Sequence, residues 1–397
     1  MSQPRFLLTN SLWLLIGRGG SQAMALLMTI LVARRLGDAG LGQLTVILTI
    51  VFIGNVFSTF GLDTLLIRAV ARQPKNAPLS AVFAIQITLS LLFIVGTWLF
   101  APNNQVGNGS IIYSFSLLPL AVTTLFNAVL RGEERMNSYT LLQLFSAGCR
   151  LATVTLLLSL NAGFLPIVWG LLLCQTAEAI TTGIVTTNIC STPLAGSPYT
   201  FDTLQTTFKG GFILALLTLF AILYQRVPIL MLAHFGDAGL TGQFSAALRL
   251  IDIPRMLPYA VAGALFPRMA QQSKEALSGR WFLLMGLGMA AFALAIRPIA
   301  PWLVQSVFGD GYRSAATIFP LLAWSLLPFV AVLYGSMVLV ARNQEKQVVL
   351  AHGLALLFAG LLGRFSLVRW GETGLATALI TAESLHALIL LSLARRK

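Results

Sequence analysis

Leu36-Gly37-Asp38-Ala39-Gly40-Leu41-Gly42-Gln43 recurs, in the second half of this 397-residue chain, as Phe235-Gly236-Asp237-Ala238-Gly239-Leu240-Thr241-Gly242-Gln243. Gly-Asp-Ala-Gly makes a good tight turn and can arise twice on that ground alone. Placement argues for more, because each copy closes the first hairpin of its half. The chain is therefore expected to hold two related six-helix halves, residues 1–195 and 196–397. The first and seventh apolar segments run in the same direction, so the halves would be parallel repeats about an axis along the membrane normal.

The medium follows from composition. Hydrophobic residues make up 57% of the chain and charged residues 10%, with a mean hydropathy of +0.83. A soluble domain carries roughly 25% charged residues. The apolar residues fall in blocks long enough to cross a ~30 Å hydrocarbon core. An all-α polytopic membrane protein of twelve spans is expected, near residues 10–33, 41–66, 79–100, 110–131, 139–160, 164–188, 208–233, 241–267, 281–300, 314–340, 347–367 and 371–393. Arg18 interrupts the first apolar stretch, Trp13 to Val32, and no clean small-residue cleavage site follows it. That stretch is expected to be a retained span. The Thr-, Pro-, Ser- and Gly-rich residues 189–207 read as a linker between the halves.

Twenty-six Lys and Arg oppose 13 Asp and Glu, a formal charge of +13. Most of the basic residues stand at helix ends, where they set topology and meet anionic headgroups rather than nucleic acid. Arg68, Arg72, Lys75, Arg131, Arg135, Arg342 and Lys346 belong to loops after even-numbered spans, which would place both termini in the cytoplasm. The scattered cysteines (Cys149, Cys174, Cys190) and histidines (His234, His352, His386) suggest no metal, and no cofactor motif is present. There is no GxxxxGK[ST] loop, so ATP hydrolysis is not expected.

Charges inside the spans are the candidate site. Each costs at least ~2.5–3.5 kcal/mol at the bilayer centre unless it finds a partner or water. Arg18 and Gln22 share a face of span one beside Gly19, Gly20 and Ser21. Arg18 either lines a cavity or snorkels to headgroups. Asn55, Thr59 and Asp63 recur every four residues as a stripe on span two, although Asp63 can equally neutralise Arg68. Arg150 of span five and Glu178 of span six are expected to form a buried pair, structural or functional. Span seven carries Arg226. On span eight Arg249, Asp252 and Arg255 recur every three residues, with Asp252 able to bridge both arginines. Pro254 and Pro258 interrupt the same helix. Two arginines per carboxylate leave surplus positive charge. Arginine's planar fork suits phosphate, although a neutral packing network is the plainer alternative. Glu383 and His386, one turn apart in the last span, are candidates for handling a coupling proton.

The chain resembles the Wzx-like oligosaccharide flippases of bacterial envelope biogenesis, which share a superfamily with the MATE transporters and the lipid II flippase. The resemblance rests on Ala33 through Gln43, Phe60-Gly61-Leu62-Asp63 with Ile67-Arg68, and Phe201-Asp202 with Lys209-Gly210-Gly211. It continues in Gly236 through Gly239 with Ala246-Ala247-Leu248-Arg249. It implies a twelve-helix, two-lobe fold in the bacterial inner membrane that carries undecaprenyl-pyrophosphate-linked sugars outward, without catalysis. By position it also implies that Arg18 and Arg255 are cavity arginines. Short cytoplasmic loops and few lysines depart from the family, and the two further C-terminal spans of the lipid II branch are not among the expected twelve, which makes lipid II a less fitting cargo.

The reading is a flippase working by alternating access through a cationic cleft. Arg18, Gln22, Asn55, Arg226, Arg249 and Arg255 would contact substrate. Asp63, Arg150, Glu178, Asp252 and Glu383 would serve coupling or structural ion pairing. Expected partners are the lipid-linked oligosaccharide, membrane lipids, a coupling H+ or Na+, and glycan-assembly proteins. A MATE-type cation or drug antiporter is the nearest alternative, and it would call for cavity carboxylates rather than arginines. A glycan polymerase or ligase would need a substantial extracytoplasmic loop, and no loop here is long enough.

Overall fold

The computed structural model describes residues 4–192, 201–271 and 275–395. Regular structure among them is wholly helical. In a medium without water, a helix satisfies each backbone donor and acceptor within its own segment. The order begins α1 (Pro4–Thr59), α2 (Leu62–Arg72), a 3-10 turn (Pro74–Asn76), α3 (Leu79–Phe100), α4 (Gln105–Ser114) and α5 (Leu117–Gly132). It continues through α6 (Met136–Ser159), α7 (Phe164–Ile189), α8 (Phe201–Phe235), α9 (Ala238–Gln271) and α10 (Glu275–Phe308). It closes with α11 (Arg313–Ala323), α12 (Leu326–Ala341) and α13 (Glu345–Arg395).

Among the described residues seven helices are long and apolar enough to cross a membrane, or up to nine if each of two bent pairs is one span. The chain is a multi-pass membrane protein. Two helices are too long for a single crossing: α1 has 56 residues and α13 has 51. At 1.5 Å per residue each exceeds twice the ~30 Å hydrocarbon thickness. Each breaks at a glycine with positive φ, Gly37 (71°) and Gly371 (62°). A side chain strains that conformation, so glycine permits the kink where other residues would resist it.

The expected stripe on span two does not survive. Phe60 (φ 50°) and Gly61 (φ 66°) take left-handed conformations between α1 and α2. The helical register is lost there, and Asp63 no longer continues the face of Asn55 and Thr59. Thr59 turns its hydroxyl back onto the Asn55 carbonyl at 2.7 Å. Nor does Asp63 pair with Arg68 among the described residues.

Two further breaks share a sequence. α4 and α5 meet at 40°, and α11 and α12 at 46°. Phe115-Ser116-Leu117-Leu118-Pro119 stands at the first junction and Trp324-Ser325-Leu326-Leu327-Pro328 at the second. Each proline lies in the first turn of the later helix, where its missing N–H is tolerated. Its ring presses on the carbonyl four residues back, that of Phe115 or Trp324, which bars a straight helix through the junction.

By packing, the chain forms two compact units: Met1–Arg35 with Ile47–Leu219, and Leu36–Val46 with Phe220–Lys397. The expected linker, residues 189–207, lies partly outside the described residues. In the first unit Leu62, Leu66 and Val70 of α2 pack with Leu79 and Val82 of α3 and with Leu125 and Val129 of α5. Glu133, just past α5, closes this packing at one end. Its carboxylate accepts hydrogen bonds from the Ser191 amide (3.2 Å) and hydroxyl (3.3 Å), and from the Thr192 amide (2.8 Å) and hydroxyl (2.5 Å). Burial alone would raise the Glu133 pKa. The four donors outweigh it and hold the pKa below its ordinary value of 4.5.

In the second unit Tyr224 and Val227 of α8 pack against Ala355, Ala359 and Ala382 of α13. The alanines let the helices approach closely. The Leu36–Val46 segment joins this unit through a reciprocal contact of the two Gly-Asp-Ala-Gly copies. A Cβ on Gly42 would overlap the Ala238 carbonyl, and a Cβ on Gly242 would overlap the Asp38 carbonyl. Each glycine thus faces the carbonyl one turn before the other. Gln243 fastens the contact, donating to Asp38 Oδ2 (2.9 Å) and to the Gly311 carbonyl (2.7 Å) while accepting from the Ala315 amide (3.1 Å). The repeat is therefore a docking surface as well as a turn.

Backbone cannot yield to a new methyl as a flexible side chain can. Gly42→Ala and Gly242→Ala should each lower the melting temperature and membrane yield of the protein. Gly96→Ala in α3, where a Cβ meets nothing within 4 Å, should be neutral or stabilising by about 0.5–1 kcal/mol. Thermal unfolding of the purified variants reads this order. For Glu133, a depressed carboxylate pKa contributes stability above pH 4.5 that is lost as pH falls through the folded value. Glu133→Gln should lower the melting temperature at pH 7, and the difference from wild type should shrink as pH drops below the ordinary carboxylate range.

Candidate functional site

Each unit holds its own set of charged residues, most of them half-buried, and the two sets are held differently. In the first unit Arg150 of α6 meets Glu178 of α7 at 2.5 Å, as its sequence suggests. The pair is well supported. Arg150 also donates to Ser146 at 2.7 Å, and Gln175 donates to Glu178 at 3.0 Å. Close distance and shared donors offset much of the desolvation of a buried pair. The charge there is internally neutral.

This pair forms part of the wall of a cavity of about 490 Å³ that also includes Ser21, Gln22, Asn127, Tyr139, Gln143 and Thr182. Gln22 thus joins Arg150 and Glu178, residues grouped apart in the sequence. Arg18 does not line the cavity. It is exposed, and its carbonyl accepts the Ser21 hydroxyl at 3.2 Å. Asn55 is half-buried and also lies off this wall.

In the second unit the focus is Arg255 of α9. Its Nη1 stands 3.9 Å from Asp252 Oδ1 and its Nη2 stands 3.7 Å from Glu383 Oε2 on α13. Both distances exceed hydrogen-bond range, so neither carboxylate engages the guanidinium fork directly. Its single hydrogen bond among the described residues runs from Nη2 to the Ser325 hydroxyl at 3.3 Å, and Nε has no partner. The guanidinium lies 5.0 Å over the Phe329 ring, which meets Tyr259 edge-on at 5.2 Å. Arg226 of α8 lies within electrostatic reach of Arg249 and Asp252.

Spacing leaves Asp252 able to bridge Arg249 and Arg255, and its ion pair among the described residues is with Arg255 alone. The spacing of three permits both contacts, and the chain uses one. Glu383 and His386 do share a face of α13, yet their surroundings differ. Glu383 points to Arg255. His386 packs edge-on against His352 (centroids 4.6 Å) and Tyr224 (5.4 Å), with both ring nitrogens buried and unpartnered. His352 Nδ1 is 2.8 Å from the Val348 carbonyl. Among the described residues no group of three or more His, Cys, Asp or Glu side chains could hold a metal.

Ser325, Phe329 and Tyr259 around Arg255, and Tyr224 and His352 around His386, are neighbours that spacing of charges could not reveal. Ser325 carried a signal all the same, since it belongs to the aromatic-Ser-Leu-Leu-Pro repeat. The bend between α11 and α12 delivers its hydroxyl to Arg255. The equivalent Ser116 is buried in the first unit, and its hydroxyl has no hydrogen-bond partner.

Comparison with known proteins fixes the family. The model of the polysaccharide biosynthesis protein family matches residues 7–273. The chain belongs to that family. A Shigella flexneri protein named as an O-antigen transporter is 21% identical over 281 residues, and the match spans 66% of this family member and 66% of the relative. Solved structures share the fold. The lipid II flippase MurJ in an inward closed conformation superposes with a TM-score of 0.77 at 14% identity, covering 95% of this chain and 86% of that one. A MATE multidrug transporter in an inward-facing conformation gives 0.74 at 14% identity, covering 94% of each. The fold is therefore MATE-like.

Proposed function

We propose that the protein is a flippase moving an undecaprenyl-pyrophosphate-linked oligosaccharide across the bacterial inner membrane by alternating access, a carrier rather than an enzyme. Family membership and the O-antigen transporter relative support a lipid-linked sugar as cargo. Twelve crossings in two related sets of six, with both termini cytoplasmic, accord with the two glycine-broken long helices, the paired bends and the positive-inside bias.

The observation that carries the chemistry is the contrast between the two half-buried arginines. Arg150 is neutralised by Glu178 at 2.5 Å. Arg255 has its carboxylates at 3.7 and 3.9 Å and a single serine hydrogen bond. A guanidinium held so loosely in an apolar bundle can accept an anion, and the pyrophosphate offers paired oxygens for its planar fork. Arg226 and Arg249 add positive field. Binding would give Arg255 the directly hydrogen-bonded anion that its carboxylates, at 3.7 and 3.9 Å, do not provide, which favours the loaded state. A cation antiporter on the same fold would want the opposite sign.

In a flippase-deletion strain, the double variant Arg249→Ala/Arg255→Ala should reduce surface glycan at least tenfold while immunoblots show normal membrane insertion. Unchanged glycan export would overturn the assignment of the anion site. Restored drug resistance in an efflux-deficient host, without glycan export, would favour the MATE-type antiporter.

A further inference from the structure

The polar cavity of the first unit has a use that an anion-accepting site does not supply. Its volume of about 490 Å³ falls within the ~300–1,000 Å³ of small-molecule sites. Its walls come from the first arm of α1 (Gln22), α5 (Asn127), α6 (Tyr139, Gln143) and α7 (Thr182). Among the described residues the full charges on them belong to Arg150 and Glu178, which neutralise one another at 2.5 Å. Arg150 commits its Nη2 to Glu178 and Ser146, so the cavity carries no net charge to select an anion or a cation. What remains is amides and hydroxyls. Gln143 Oε1 on this wall is buried with no hydrogen-bond partner, and Gln22, Asn127 and Thr182 line the same space. An amide donates and accepts at once, and a hydroxyl does the same. A guest that presents many hydroxyls can satisfy both roles, whereas an apolar guest would leave them unmet. Phe52, Met24 and Met28 on the same wall offer an apolar face. Hydroxyls around the edge and a C–H face in the middle describe a sugar ring.

We propose that this cavity binds an uncharged, hydroxyl-bearing sugar residue of the cargo, with Asn127, Thr182 and Gln22 as its hydrogen-bonding groups. The proposal rests on the lipid-linked-sugar reading and adds a subsite to it.

The test compares two lipids on the purified full-length protein by native mass spectrometry in detergent: undecaprenyl pyrophosphate, and the same lipid carrying one N-acetylglucosamine. Wild type should bind the glycosylated lipid about tenfold more tightly, a difference of ~1.4 kcal/mol. Asn127→Ala and Thr182→Val should each bring the ratio of the two affinities close to one. Thr182→Val removes a hydroxyl with little change of shape, so it decides the matter if Asn127→Ala fails to purify. A wild-type ratio near one, or a ratio unchanged in the variants, would overturn the sugar site and leave the flippase reading intact. Binding of neither lipid by wild type would overturn the flippase reading and the sugar site with it.

Discussion

A guanidinium buried among apolar helices must find compensation, and the two units find it in different ways. Arg150 gives its Nη2 to a carboxylate at 2.5 Å, itself braced by a glutamine, and to a serine, while its Nε, like that of Arg255, has no partner. Arg255 has two carboxylates just out of hydrogen-bond range and an aromatic face beneath it. In a medium that charges individual ions several kcal/mol, such looseness is sustained only by a network of partial partners. That network draws on α9, α12 and α13 together, so the packing of these helices and the chemistry of the arginine depend on one another.

The backbone makes this possible through a few sharp breaks. Pro328 bends the passage from α11 to α12 and thereby presents Ser325 to Arg255. Gly371 divides α13, so that His352 on one arm meets His386 on the other. Gly42 and Gly242 admit carbonyls where any side chain would collide. Helices free of such residues would run straight through these junctions.

Much of this was legible in the amino-acid order. Hydrophobic blocks mark the helices because crossing length and backbone satisfaction leave little choice. The Arg150–Glu178 pair was legible because two lone opposite charges on neighbouring spans have few alternatives. The Asn55–Thr59–Asp63 stripe misled, since a periodicity argument assumes an unbroken helix and Phe60-Gly61 breaks it. Glu383 as the partner of Arg255 was hidden for another reason. The contact joins residues 128 positions apart, and no local spacing encodes it. The Ser-Leu-Leu-Pro repeat was present in the sequence, but its meaning depends on a bend that three-dimensional packing makes visible.

Arg255 carries the central claim, and its side chain can be exchanged for another cation. In proteoliposomes loaded with undecaprenyl-pyrophosphate-linked oligosaccharide, the rate at which the glycan reaches the opposite leaflet can be followed by a lectin added outside. Lysine keeps the charge but lacks the planar fork. Arg255→Lys should slow translocation at least tenfold relative to wild type, with normal protein incorporation. Translocation at the wild-type rate would contradict the assignment of Arg255 as the pyrophosphate acceptor.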